Sequence, residues 1–318
     1  MRPLFGWLGR GGAAARLTVL MFHRVTQQPD PLFPGEVDRA RFDAICGWLA
    51  RWFVVLPLEE ALRRAREKTL PPGALAITFD DGYADNHDVA LPVLRRHGLS
   101  ATFFVATGFL DGGRMWNDTL IEAVRGARVD GLDLGDGALP GLSGRLGLAD
   151  LESRRAALPR LLLAAKYLPP GERLETVERI ARALRAELPA DLMMTSEQVR
   201  ALHRSGMGIG AHTQTHPILC TLDETAAGHE IAGSRSALEQ LTDAPVTLFA
   251  YPNGKPGSDY AARDVDLVRR LGFEAAFSTS PGAVTSASPW HELPRFTPWR
   301  RTRLGFGAQL AHNLLAGR

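Results

Sequence analysis

The chain has 318 residues, 45% of them hydrophobic and 23% charged, with a formal net charge of +2. That length suits one large domain or two small ones, each with a full core, and so small a charge, with no lysine or arginine run, argues against a nucleic-acid partner. Cys46 and Cys220 make no disulfide framework, the early apolar run Leu17 to Phe22 is too short to span a bilayer, and the first residues lack the apolar stretch of a secretory signal, so a cytoplasmic chain is expected.

Short apolar runs, bounded by turn signals, begin at Arg16, Ala74, Ser100, Gly206, Val246, Glu274 and Glu292. Most are followed by a helical pattern. Runs of this length read as strands buried on both faces, hence a parallel sheet or barrel. Phe42, Ile45 and Leu49 share one face of a helix that follows the first run. Thr195 stands three residues before Gln198, a capping box, with Gly206 beyond the last turn. Ile231, Leu238 and Leu241 keep helical spacing before Pro245, and a further helix ends at Gly272. Between Phe109 and Asp191 the rhythm breaks. A glycine-rich, turn-like stretch precedes segments that are mostly helical and broken at prolines, with no strand pattern. Residues 110–191 therefore read as a helical insertion within a single domain covering residues 1–318. Both ends, "RPLFGWLGR" and "PWRRTRLGFGAQLAHNLLAGR", mix aromatic and leucine residues with arginines. They read either as interfacial membrane segments or as terminal packing elements with a solvated basic face.

Polar residues gather at the C-terminal ends of the proposed strands: His23, Asp80 and Asp81, His212, and the turn "YPNG". Barrels of alternating strands and helices build their active sites at that end. His212 and His216 are four residues apart, so one helical turn would aim both imidazoles at a common point. Two neutral imidazoles suit zinc, cobalt or nickel, and a carboxylate would complete the set; core or surface histidines are the other reading. Adjacent side chains diverge, so if one of Asp80 and Asp81 binds a metal, the other is free to act as a base on water. Capping of the helix near Ala84 would account for one aspartate but hardly for two.

"TFDDG" followed by "HTQTHP" resembles the first two motifs of the polysaccharide deacetylase family, the NodB-homology or carbohydrate esterase family 4 group. "YADNHDVALPVLRRHGLSATFFV" is similar to that family's continuation after its first motif, and the likeness covers most of the chain outside the helical insertion. It implies an α/β fold, a distorted (β/α) barrel of about seven parallel strands, with a divalent metal, usually zinc. Carried over by position, Asp80 is the catalytic base, and Asp81, His212 and His216 bind the metal. The implied reaction is hydrolysis of N-acetyl groups on the hexosamine units of a polysaccharide or its precursor.

Two departures from the family pattern need substitutes. The third motif, usually R-x-P-Y, reads "AYPN" from Ala250 to Asn253; the Asn253 backbone N–H can still serve the oxyanion, and Arg295 is the expected stand-in for the missing arginine. The final leucine–any–histidine motif is absent, since neither His291 nor His312 fits it. His23 in "LMFHRV" resembles the N-terminal "YH" element of the exopolysaccharide-associated branch and is the expected general acid. Trp116, Asp118 and Tyr251 are read as substrate contacts, with anchoring of the insertion and helix capping as alternatives for the first two. The implied partner is an N-acetylated saccharide, with peripheral contact to the cytoplasmic face of a membrane suiting the basic–aromatic ends. Two other readings stand beside this one. "FAYPNG" also resembles variants among cyclic-amide hydrolases such as allantoinase-like proteins, and a non-catalytic carbohydrate binder could share the fold. Retention of both aspartates and both histidines argues against the binder.

Overall fold

In chain order the strands are β1 (Thr18–Phe22), β2 (Val54–Val55), β3 (Ala74–Phe79), β4 (Thr102–Val105), β5 (Gly131–Leu139), β6 (Leu142–Gly147), β7 (Gly208–Ala211), β8 (Leu248–Ala250) and β9 (Ala275–Phe277). They come from a computed structural model that describes residues 1–316; residues 317–318, the end of the basic C-terminal stretch, lie outside the described residues. The chain divides into two units. The first holds Met1–Gln28, Val37–Asp111 and Met193–Arg318, and the second holds Pro29–Glu36 and Gly112–Leu192.

In the first unit, β1, β3, β4, β7, β8 and β9 pair in that order, all in parallel, with β2 beside the first residues of β3. Six of the seven apolar runs thus become strands. The seventh, from Glu292, does not: Pro294 has no N–H to give a ladder. Residues 293–296 instead make isolated parallel bridges, Leu293 to Phe277 of β9 and Phe296 to Leu20 of β1. Phe296 N–H donates to Val19 O at 2.8 Å and Leu293 N–H to Ala276 O at 2.8 Å. This extended segment spans the gap between the two edge strands, and the sheet becomes a distorted (β/α) barrel.

Strand alternation sorts the side chains into two sets. Leu20, Phe22, Leu75, Ile77, Phe79, Phe103 and Val105 pack against the surrounding helices, with Phe79 stacked on Phe103 at 4.9 Å. Val19, Ala74, Ala76, Phe104, Leu248, Ala250 and Phe277 form a separate inner cluster. Alanine recurs there because space is short. At Gly210 it runs out: a Cβ would sit 2.4 Å from the Phe104 ring. Carried past the strand ends, the inner rows of β3 and β7 lead to Asp80 and His212.

The helix Ser196–Arg204 starts at the expected capping box, Gln198 N–H donating to Thr195 Oγ1 and Thr195 N–H to Gln198 Oε1. The terminal helices Arg2–Gly9 and Arg303–Ala316 do act as packing elements: Phe5, Leu8, Phe306, Leu310 and Leu314 are buried, and the rings of Phe5 and Phe306 flank Trp52. No helix among the described residues is long and apolar enough to cross a membrane.

The second unit corrects two expectations. It is not purely helical, because β5 and β6 form an antiparallel hairpin. Its glycines dilute the apolar signal, but Leu132, Leu134, Leu139, Leu142 and Leu146 are buried at strand spacing around a register shift. Nor does Pro159 break the chain. The helix Leu151–Lys166 runs through it, since Ala157, Leu158, Leu161 and Ala165 bury one face on both sides and outweigh the lost backbone bond. Arg125 ties residues 29–36 into this unit through paired bonds of 2.8 and 2.7 Å to Asp30.

Candidate active site

β3 delivers Asp80 to the C-terminal end of the barrel on the inner row. There Arg295, from the bridging segment, meets it with two parallel bonds: Nη1 to Oδ1 and Nη2 to Oδ2, both 2.6 Å. Both side chains are almost wholly buried, at 2% and 1% exposure. The guanidinium Nε also donates to Ser278 O, and the group lies between the rings of Phe104 and Phe277. Burial by itself would raise the pKa of Asp80. The charge of Arg295 outweighs it, with help from His212 and His23, and holds the carboxyl below the usual range.

Asp81 turns away from its neighbour because its backbone is left-handed, φ 78°, ahead of Gly82 at φ 92°. Its Oδ1 lies 3.3 Å from His212 Nε2 and 3.4 Å from His216 Nε2. His212 Nδ1 donates to the Ala250 carbonyl at 2.7 Å, which leaves Nε2 to face the carboxylate. Burial opposes ionisation of Asp81, yet the imidazoles of His212, His216 and His23 hold its pKa well below normal. Burial pushes His216 down to about 4. His212 goes the other way: burial disfavours its proton, but Asp81 and Asp80 together win and raise it.

The three groups fit a cation. One ligand atom from each of Asp81, His212 and His216 falls within 4.8 Å of the others. Asp81 Oδ1 is buried and accepts no hydrogen bond of good geometry, an arrangement that costs energy unless something positive binds there.

The turn between the histidines is held under strain. Thr213, a β-branched residue, has φ 62° and His216 φ 53°. His216 N–H donates to Thr213 Oγ1, and the Thr213 and Gln214 carbonyls accept from Thr107 and Gly108. Glu230, on the helix Glu224–Thr242, clamps the turn. Its carboxylate accepts from Gln214 N–H at 2.9 Å, Thr215 N–H at 2.8 Å and the Thr215 hydroxyl at 2.6 Å. Nothing in the sequence around Glu230 announced this. Asp85 and Asn86, inside the first-motif continuation, also carry no mark in the sequence of what they do. Asp85 accepts from Arg24 Nε and Val25 N–H, and Asn86 Nδ2 donates to the His23 carbonyl at 2.8 Å. Together they tie the loop carrying His23 to the turn after β3. The His23 side chain itself is exposed.

Asn253 follows β8 with φ 57°, and its N–H has no partner among the described residues. Its carbonyl accepts from the Thr279 hydroxyl. Tyr251 is a correction. It is fully buried, stacked on Tyr260 at 3.8 Å, with its hydroxyl donating to the His291 carbonyl. Alternation explains this: Ala250 is on the inner row, so Tyr251 packs in the helix-facing core and not on the inner row that leads to Asp80 and His212. Asp118 is 2% exposed in the first turn of the helix Trp116–Arg125 of the second unit. Trp116 is half-buried against the leucine cluster of that unit with Arg173 over its ring, the anchoring alternative rather than an open stacking face.

A parallel barrel with a carboxylate–guanidinium pair beside an Asp–His–His cluster at its C-terminal end is an arrangement suited to hydrolysis assisted by a cation. The model of the family described as polysaccharide deacetylase matches residues 67–135 and 173–276, more than half of the chain, and the chain belongs to that family. A curated Bacillus subtilis (strain 168) protein, the provisionally named polysaccharide deacetylase YxkH, is 21% identical over 283 residues, covering 88% of this chain and 71% of its own. Among solved structures, the Streptococcus pyogenes deacetylase PplD in complex with acetate matches with TM-score 0.61 at 18% identity, covering 95% of this chain and 98% of that one. IcaB from Ammonifex degensii matches with TM-score 0.56 at 18% identity, covering 96% and 98%. At these identities the solved structures speak to the fold.

Proposed function

We propose that the chain is a metal-dependent de-N-acetylase acting on N-acetylhexosamine units of an exopolysaccharide or its precursor. The observation that carries this is the buried Asp80–Arg295 pair standing beside the Asp81, His212 and His216 cluster. Those three side chains would hold the cation, zinc fitting two imidazoles and one carboxylate, with cobalt or nickel as alternatives. When bound, the ion supplies Lewis-acid polarisation of the acyl oxygen and eases loss of a proton from water.

The chain's own groups do the rest. Asp80, kept ionised by Arg295, accepts the proton of the attacking water. The unpartnered N–H of Asn253 donates to the oxygen on which negative charge develops. His23 gives a proton to the amine as the C–N bond breaks, and acetate and a free amine leave. Arg295 touches no reacting atom in this scheme; it positions the base and sets its charge. Two free cysteines suit a cytoplasmic setting for this chemistry.

The test is acetate release from N-acetylglucosamine oligomers by zinc- or cobalt-loaded protein. Release should require the metal and fall by about 10²–10⁴-fold in Asp80→Asn, with one metal per chain retained. Tight metal binding without release from any N-acetylated saccharide, together with turnover of small cyclic amides, would refute the saccharide reading.

A further inference from the structure

Among the described residues, ten large hydrophobic side chains stand exposed, and six of them belong to the two terminal segments: Met1, Leu4, Trp7, Trp299, Leu304 and Leu315. Trp7 is 70% exposed, Trp299 65% and Leu304 79%. The helices Arg2–Gly9 and Arg303–Ala316 lie side by side, so the six are not scattered. A Cβ on Gly307 would run into the Met1 side chain, and Arg16 reaches the Leu314 carbonyl. On the first helix Met1, Leu4 and Trp7 follow one another at helical spacing. On the last, Leu304, Ala308 and Leu315 are exposed along the line opposite the buried Phe306, Leu310 and Leu314. Single exposed leucines need no explanation, but exposed apolar residues repeated along each of two neighbouring helices do.

Charge says what covers it. Residues 1–16 and 297–316 contain no aspartate or glutamate. Arg2, Arg10, Arg300, Arg301 and Arg303 are exposed, and none takes part in an ion pair among the described residues. Some exposed arginines elsewhere find carboxylates, as Arg63, Arg204 and Arg270 do. Others, such as Arg39, Arg51 and Arg95, do not among the described residues. What sets the two ends apart is that five unpaired arginines gather where no acidic residue stands. Protein interfaces also combine tryptophan with arginine, so the choice of occupant rests on the complete lack of acidic residues in both segments. The surround of unpaired arginine adds a demand for negative charge spread over a plane. Indole rings and arginines favour the boundary between hydrocarbon and phosphate, where aliphatic side chains sink and guanidinium groups stay with the headgroups.

We propose that the face formed by the helices Arg2–Gly9 and Arg303–Ala316 docks the protein on an anionic lipid bilayer. The contact is peripheral: leucine and tryptophan enter the headgroup–acyl boundary and the arginines hold lipid phosphates. It does not rest on the deacetylase reading, since binding to lipid needs no turnover.

The experiment is flotation of the full chain with vesicles of phosphatidylcholine, with and without phosphatidylglycerol, at low and high salt. Flotation should require the anionic lipid and weaken with salt. Arg300→Ser/Arg301→Ser should lower partitioning roughly 30-fold, and Trp7→Glu/Leu304→Glu should abolish it. Circular dichroism should show the native helical content and melting in both variants, because the altered side chains face water. Acetate release from a soluble oligomer should also be unchanged. Absence of flotation with anionic vesicles at low salt overturns the proposal, and so does equal flotation of both variants. A wild-type dimer by light scattering that Trp7→Glu/Leu304→Glu splits, with no flotation, would assign this face to a second copy of the chain and overturn it as well.

Discussion

Replacing Arg295 with methionine isolates one physical quantity, the cost of leaving the Asp80 carboxylate charged and alone in the barrel. Both partners are buried and joined by two bonds of 2.6 Å, so solvent cannot take over the lost role. Removing one member of such a pair costs about 3–5 kcal/mol, a large part of the roughly 5–15 kcal/mol that holds a domain together. The sign of the pH dependence is the sharper test. In the wild type the Asp80 pKa is depressed, so its ionised form stabilises the fold above the unfolded value of 3.8, and that contribution is lost as pH falls through the lower folded value. In the variant the largest influence opposing burial is gone and only His212 and His23 remain against it, so the pKa rises. Stability is then kept at low pH and lost as pH rises through the raised value. Urea midpoints between about pH 5 and about pH 8 should therefore fall with rising pH in Arg295→Met. Adding Asp80→Asn should restore most of the loss. A cost under about 1 kcal/mol, or one that does not change with pH, would refute the reasoning.

Four further outcomes follow from the site. Glu230→Gln removes one of the two acceptor oxygens that clamp the turn between the histidines; zinc affinity, read by competition with a chromophoric chelator, should drop about 10–100-fold. Tyr251→Phe should lose only the bond to the His291 carbonyl, about 0.5–1.5 kcal/mol in urea unfolding, with KM for the saccharide unchanged. Chelation should abolish turnover and lower Tm, and zinc at a hundred times its Kd should return about 2.7 kcal/mol of stability, but not in Asp81→Asn. The zinc affinity should weaken as pH falls, because a proton competes for the raised His212.

The barrel was legible because strands buried on both faces must be apolar throughout, and β1, β3 and β4 are buried at every residue. The site was legible where chemistry forces residue choice: two carboxylates in succession and two histidines four apart admit few structural explanations. Arg295 was reached by asking what an unpaired base would need. Tyr251 was misread although the needed signal was present, for strand parity puts it on the row opposite Ala250. Glu230 carried no signal at all, since one glutamate on an amphipathic helix looks like any solvated charge until the fold brings the turn against it. The hairpin of β5 and β6 was hidden by glycine, which supplies turns and strand spacers alike. The left-handed backbone at Thr213 was equally invisible, since a β-branched residue rarely adopts it, whereas Asp81, His216 and Asn253 are of types that tolerate it without demanding it.

The segment that closes the barrel is also made long after the strand it completes. Asp80 and Arg295 are 215 positions apart. A ribosome adding about 5–20 residues per second needs roughly 10–40 s to pass from one to the other. Throughout that interval the nascent strand carries a carboxylate without its counter-ion, in a sheet that still has two open edges. Arrival of the last stave does two things in one event: it covers those edges and neutralises the charge. A chain halted short of it would keep the paired aspartates and the histidines but leave Asp80 without its guanidinium partner.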